Sequence, residues 1–308
     1  MVLKQAFLNV NGLNLAYLEA GNNVLVDNGS SANAKVDSNI EKQKQHLLSN
    51  NILFIHGLGS SADRWLDIPD ALSLMGRHAV ALDLPGFGLS DKPIDVDYTI
   101  GKFVKVIVDF MYKAGMVVAE AEKVNVSNNN KISIIGHSLG GYIAAQLAIE
   151  YPDLIDKLVL IDTSGMLDGQ PTPLLQEYLN AAMNPTKENV RSVFEQLVAA
   201  PVRISDALVY GFIHRINQPG AKHAFKSAYD NSVYTQIGAD RLRQIGDNSI
   251  PTLLIWGRQD QLIPLRYFKI FQESIKDSQV VIVEDAGHAP FSEKPAIVTE
   301  LLHKFISS

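Results

Sequence analysis

The chain contains no cysteine in 308 residues. Disulfide bridges, thiolate-held metals and a cysteine nucleophile are thereby excluded, and the composition suits a reducing compartment. Long apolar runs are missing too: no stretch approaches the roughly 18–20 residues needed to cross a bilayer. The first residues, MVLKQAFLNVNGLNL, lack the basic region and long apolar run that mark a signal peptide. Blocks of Lys and Arg are likewise absent, and the net charge is −6. A phosphate-tracking surface is therefore not expected, and no nucleic-acid partner with it. Charged residues make up 19% and hydrophobic residues 46%, ordinary proportions for a soluble globular protein with a sizeable core. We expect a soluble, cytoplasmic protein with either one large domain carrying an insertion or two modest domains.

What is present centres on Lys131 to Tyr142, KISIIGHSLGGY. A β-branched run (Ile132, Ile134, Ile135) leads into Gly136-His137-Ser138-Leu139-Gly140-Gly141, and a helical pattern follows until Tyr151-Pro152 stops it. This is G-x-S-x-G with a strand before it and a helix after it, the context that gives the motif meaning. So sharp a turn forces the serine into a strained backbone and lifts its hydroxyl above the sheet edge. Gly136 and Gly140 remove side chains that would clash in the turn, and Gly141 lets the helix lie close to the sheet. The helix N-terminus aims N–H groups at negative charge forming near Ser138. The plainer alternative is a glycine-rich turn with Ser138 as a helix cap.

On these residues the segment resembles the nucleophile turn of the α/β-hydrolase superfamily. The resemblance implies an α/β fold with a mostly parallel eight-stranded sheet, helices on both faces and an inserted helical cap. It extends to the apolar strand Asn51–Ile55 and the turn His56-Gly57-Leu58-Gly59. Related hydrolases place an oxyanion-hole donor there, which implies the backbone N–H of Leu58, with that of Leu139 as the second. Such a pair of aimed N–H groups is worth several kcal/mol in a dry site. The His56 side chain itself is expected to serve the scaffold. Leu84-Pro85-Gly86-Phe87-Gly88-Leu89-Ser90-Asp91 is also typical of the superfamily, with Asp83 and Ser90 structural.

A serine hydroxyl is a poor nucleophile until a fixed base takes its proton. Ser138, Asp260 and His288 occur in the chain order Ser…Asp…His that this fold uses, and each follows an expected strand. His288, in a Gly-His turn after the last strand, is the candidate base. Asp260, after Trp256-Gly257, is the candidate acid; Asp162 is the runner-up and Asp285 a weaker alternative. A histidine base acts when neutral, so activity should fall below about pH 6–7.

Along the chain, Phe7–Leu18 alternates around Asn11-Gly12 and predicts a hairpin. Residues 21 to about 48 are rich in Asn, Ser, Lys and Gln and read as a solvated insertion, with a short helix-like piece near Ile40–Leu48. Glu120–Asn130 reads as a second polar insertion. Helices are expected at Asp63–Met75 and Tyr98–Ala114, the latter stopped by Gly115, and strands at His78–Asp83 and Leu158–Thr163. From about 164 to 245 the strand pattern gives way to helices: Pro171–Met183, Asn189–Ala199 after an Asn184-Pro185 start, Ile204–Ile216 and Gly220–Asn231. The expected division is core 1–163, helical cap 164–245 and core 246–308. The last core part holds strands at Ile250–Gly257 and Gln279–Glu284 and a helix at Pro295–Ile306.

The resemblance implies a serine hydrolase that needs no metal or organic cofactor, acting on a small-molecule carboxylic ester of small or medium acyl chain. Aspartate-nucleophile branches are excluded by Ser138, and His137 before the serine differs from the Gly-Gly-x-Ser turn of proline iminopeptidases. Carbon–carbon bond hydrolases of dienone acids are the nearer alternative. They often carry Asn before the serine and Trp after the histidine, where this chain has His137 and Ala289, but Arg203 or Arg215 could hold a carboxylated substrate. A ligand-binding protein that keeps the fold is the third reading, and perhydrolase-like side activity is compatible with the same three residues.

Overall fold

The computed structural model describes residues 3–21, 51–118, 131–167, 169–200 and 204–308. The two polar insertions, Gly21 and the flanking residues apart, and Arg203 lie outside them. Strands β1 (Lys4–Val10) and β2 (Leu13–Ala20) form the expected hairpin, and both Asn11 and Gly12 take positive φ at its tip. Next come β3 (Asn51–Ile55), a short 3-10 turn at Ala62–Trp65, α1 (Ile68–Leu74), β4 (His78–Leu82) and α2 (Ile100–Lys113). Strand β5 (Ile132–His137) runs into α3 (Leu139–Glu150), and β6 (Ile155–Ile161) follows. Five helices then precede the next strand: α4 (Pro173–Met183), α5 (Lys187–Leu197), α6 (Asp206–Ile216), α7 (Ala221–Val233) and α8 (Ala239–Asp247). The chain closes with β7 (Thr252–Gly257), α9 (Leu265–Ser274), β8 (Gln279–Val283), α10 (Pro290–Glu293) and α11 (Pro295–Ser307).

The eight strands form one sheet in the order β1-β2-β4-β3-β5-β6-β7-β8. The pairs β1–β2 and β2–β4 are antiparallel and the rest parallel. Central strands are mostly apolar because both faces are covered. Alternate side chains divide between the faces: Leu53 and Ile55 join a core under α2, α3 and α9, while Ile52 and Phe54 join one under α1 and α11. Helix α3 is buried on nearly all sides, so it shows no amphipathic stripe. The parallel register brings the C-terminal ends of β3, β5, β6, β7 and β8 to one edge, where α/β sheets place their ligands.

The helices between β6 and β7 are capped as their sequences require. Thr172, Thr186 and Ser205 accept from the backbone N–H groups of Leu175, Asn189 and Leu208. Thr186, two residues after Asn184, is therefore the cap of α5, which runs from Lys187 to Leu197; Asn184 instead gives its carbonyl to Thr186 N at 2.9 Å. The expected helix at 63–75 is also divided. Leu66 takes φ 53° between the 3-10 turn and α1, and Pro69 has no N–H with which to continue the earlier turn. Helix α9 lies outside the elements expected from sequence, although Tyr267, Phe268 and Phe271 share its buried side.

Candidate active site

Ser138 sits between β5 and α3 with φ 54° and ψ −119°, a strained backbone for a residue with a Cβ. Its neighbours hold it there: its N–H donates to Ile161 O at 3.0 Å, and its carbonyl accepts from Tyr142 N and Ser164 N at 3.1 and 3.2 Å. The turn after β3 passes directly over it. A Cβ on Gly57 would stand 3.0 Å from Ser138 Cβ and 3.1 Å from His137 Nδ1, so only glycine permits this approach. Leu58 and Leu139 thereby reach the same cavity as Ser138. Among the described residues no acceptor takes either backbone N–H.

His288 follows β8, anchored by its N–H to Leu197 O at 2.7 Å and by its carbonyl, which accepts from His137 Nε2 at 2.7 Å. Its Nδ1 lies 2.8 Å from Asp260 Oδ2, an arrangement that leaves Nε2 as the acceptor for a proton. Asp260 is itself held by the N–H groups of Leu262 and Ile263, at 2.8 and 3.0 Å from Oδ1. His288 and Ser138 line one cavity, and Asp260 is buried behind the histidine. Ser138, Asp260 and His288 are therefore brought to one place.

The other acids differ in position. Asp162, fully buried at the end of β6, accepts from Gly257 N at 2.9 Å through Oδ1, while among the described residues no donor reaches its Oδ2. Burial first, and the Asp260 charge second, push its carboxyl well above the usual carboxylate range. Carboxylate oxygens of Asp162 and Asp260 and a ring nitrogen of His288 lie within 4.8 Å of one another. The His288–Asp260 hydrogen bond and a neutral Asp162 account for this grouping without a cation. Asp285 is exposed and stands 3.8 Å from Lys294 Nζ, outside the cavity.

The buried His56 holds the loops together: Nδ1 contacts Gly57 O at 2.8 Å and Nε2 accepts from Leu84 N at 3.0 Å. Burial lowers its pKa. His137 is pushed well below the normal range by burial and by His288, whose ring centroid is 4.8 Å away. Asp83 accepts from Ala62 N and Leu89 N, and Ser90 links Ala16 N to Asp83 O, which fixes the turn after β4. One supporting residue carried no sequence signal. Buried Glu293 accepts from Gly287 N and Ala199 N, both at 2.8 Å, and ties the His288 turn to the segment after α5.

The cavity measures about 280 Å³ and is mostly apolar, with walls from Leu175, Tyr178, Phe194, Phe212, Leu262 and Ile263. Helices α4 to α6 supply much of that wall. Tyr178 donates to Leu58 O at 3.0 Å, which couples α4 to the loop that carries one free N–H. Arg215 reaches the cavity from α6, and Arg64 reaches it from the 3-10 turn. Among the described residues no helix is long and apolar enough to cross a membrane.

Comparison with known proteins agrees with this architecture. Residues 50–295 match the alpha/beta hydrolase fold family. Lipase 3 of Moraxella sp. (strain TA144) is 29% identical over 268 residues, covering 84% of this chain and 78% of the lipase. A 2-hydroxy-6-oxononadienedioate/2-hydroxy-6-oxononatrienedioate hydrolase of Pseudomonas sp. is 26% identical over 245 residues, 77% of this chain and 81% of that enzyme. Among solved structures, a bacterial membrane phospholipase A superposes with TM-score 0.74 at 26% identity, covering 99% of this chain and 86% of the other. The chain belongs to the α/β-hydrolase fold family, and its likeness to lipases and to a dioate hydrolase supports a hydrolase.

Proposed function

We propose that this hydrolase cleaves carboxylic esters of small or medium acyl chain through an acyl-enzyme on Ser138. The observation that carries this reading is the 2.8 Å bond from His288 Nδ1 to Asp260, set behind a cavity that Ser138 and two free N–H groups share. His288 takes the Ser138 proton through Nε2 as the serine oxygen attacks the ester carbonyl. The oxyanion rests on the N–H groups of Leu58 and Leu139, already aimed and away from bulk water. His288 then protonates the departing alcohol. Water, deprotonated by the same nitrogen, attacks the acyl-enzyme, and collapse of the second oxyanion returns the proton to Ser138. The helices of 164–245 act as a cap whose inner faces size the acyl pocket, and the core comprises 1–163 and 246–308.

One observation favours a second reading, carbon–carbon bond hydrolysis of a dienone acid: Arg215 lines the cavity, and a relative is named for a dioate substrate. His137 and Ala289 weigh against it. The test is hydrolysis of p-nitrophenyl esters with acyl chains of two to about twelve carbons, run beside Ser138→Ala. Turnover that peaks at one length and vanishes in the variant supports the ester reading. Wild-type protein that cleaves a dienone acid and no ester moves the assignment to carbon–carbon cleavage. Binding without turnover of either leaves a non-catalytic member of the fold.

A further inference from the structure

Two arginines face the cavity without a carboxylate partner, and this is not what a pocket for a neutral ester requires. Arg64 comes from the loop after β3 and Arg215 from α6, so the pair spans the core and the inserted helices. Among the described residues Arg191, Arg241, Arg243 and Arg258 stand in ion pairs. Arg64 has one bond, a weak 3.5 Å contact from Nη2 to Ser292 Oγ. Arg215 folds back over Gly211, and among the described residues its buried Nε has no acceptor. A buried guanidinium N–H left unmade is costly and calls for a partner.

The nearby acids are engaged elsewhere. Asp63 takes the Ser61 hydroxyl, both oxygens of Asp83 accept backbone N–H groups, and Glu293, on the same cavity, accepts from Gly287 N and Ala199 N. Burial lowers the pKa of the Arg64 guanidinium; Asp63 opposes this, and the like charge of Arg215 adds to it. Two cations that disfavour each other at one cavity wall form a site completed by an anion. Guanidinium forks match a planar carboxylate in geometry and donor number. Because Asp63 offsets part of the charge, a monoanion balances the site better than a dianion.

We propose that Arg64 and Arg215 form a subsite for a carboxylate, so that the natural substrate is an ester that also carries a free carboxylate, such as a dicarboxylic acid monoester. The proposal rests on the ester-hydrolase reading for the scissile bond and on the arginine pair alone for the anion. With the acyl carbonyl on the Leu58 and Leu139 N–H groups, the apolar wall receives the linking methylenes and the arginines receive the far end.

The experiment has two arms. In the first, kcat/KM is measured for monomethyl esters of dicarboxylic acids of four to eight carbons and for methyl esters of the matching monocarboxylic acids. The expected result is a preference of tenfold or more for the charged member at one chain length, with that ratio falling at least tenfold in Arg64→Met and Arg215→Met and partly restored in Arg215→Lys. In the second, calorimetry on Ser138→Ala follows binding of each monoester, its neutral counterpart and inorganic phosphate. Binding of the monoester that weakens tenfold or more on adding Arg215→Met supports the subsite even where no ester turns over, so failure of the hydrolase reading is seen separately. A charged-to-neutral ratio near one in both arms, a ratio untouched by either arginine substitution, or tight binding of phosphate in place of the carboxylate would overturn the proposal.

Discussion

Asp162 and Asp260 leave the ends of adjacent strands, and their carboxyls nearly meet, yet only Asp260 bonds to His288. Two carboxylates this close in a dry site do not both ionise. The Leu262 and Ile263 N–H groups and His288 all face Asp260. Asp162, with one donor from Gly257 and an Oδ2 that no donor reaches among the described residues, takes the proton. An amide is a fair copy of a neutral carboxyl and a poor copy of a carboxylate. Asp162→Asn should therefore keep kcat on a p-nitrophenyl ester within about tenfold, whereas Asp260→Asn should lower it by roughly 10⁴ through loss of the right histidine tautomer. Equal losses in the two variants would reverse the assignment of the acid.

Gly57 offers a test of the proposed oxyanion site that substitutes none of Ser138, Asp260 and His288. An alanine there places its methyl 3.0 Å from Ser138 Cβ, so the loop must lift away from the serine. The Leu58 N–H moves with it. Losing one such donor lowers kcat by about 10²-fold or more, and KM should change by only a few-fold because the apolar wall is unaltered. Steady-state kinetics on the best p-nitrophenyl ester decide the point; a variant that loses affinity and keeps kcat would place Leu58 outside the oxyanion site.

Much of the fold was legible because the central strands are apolar runs bounded by glycine and proline, as Asn51–Ile55 before His56-Gly57 shows. The turn at Ser138 was legible for the same reason: its glycines are demanded by contacts that admit no other residue. Legibility ended where long-range contact decides. Leu66 breaks the expected 63–75 helix, and Thr186 displaces Asn184 as cap by a choice between two good cap residues. Glu293 clamps the histidine turn through a bond to Ala199, ninety-four positions away, which no local pattern announces. Arg215 could be named from its position in the helical stretch; its orphaned Nε could not, because burial of one atom is a property of the assembled cavity.

His56 and His137 make the fold sensitive to acid. Burial lowers both pKa values in the folded protein, while the unfolded chain titrates near the ordinary histidine value of about 6.5. Below that pH the unfolded state binds the protons that the folded state refuses, so stability is present above about pH 6.5 and is lost as pH falls. The slope from each histidine is at most about 1.4 kcal/mol per pH unit. Urea unfolding between pH 7 and pH 5 should show this decline, and His137→Gln should make it shallower. Asp162 acts with the opposite sign: neutral when folded and ionised when unfolded, it removes stability as pH rises above about 4. A His137→Gln profile parallel to wild type would mean that His137 takes up its proton equally in the folded and unfolded states.

Phe212 sets the depth of the pocket if the inserted helices size the acyl group. Its ring lies in a cluster with Tyr178, Phe194 and Phe225, at centroid distances of 5.7, 5.3 and 6.5 Å, and one side faces the cavity. Phe212→Ala removes a large buried side chain, at a stability loss of about 3–5 kcal/mol, and part of the vacated space joins the pocket. A longer chain then buries more methylenes, each worth about 0.8 kcal/mol or roughly fourfold in affinity. The acyl length of maximal kcat/KM should shift upward by two to four carbons, with the shortest esters losing contact and rate. Leu175→Ala, on α4, should produce a smaller shift in the same direction. If the optimum stays fixed in Phe212→Ala while the protein remains folded by circular dichroism, the acyl chain runs along a different wall and the assignment of α6 to the acyl side is wrong.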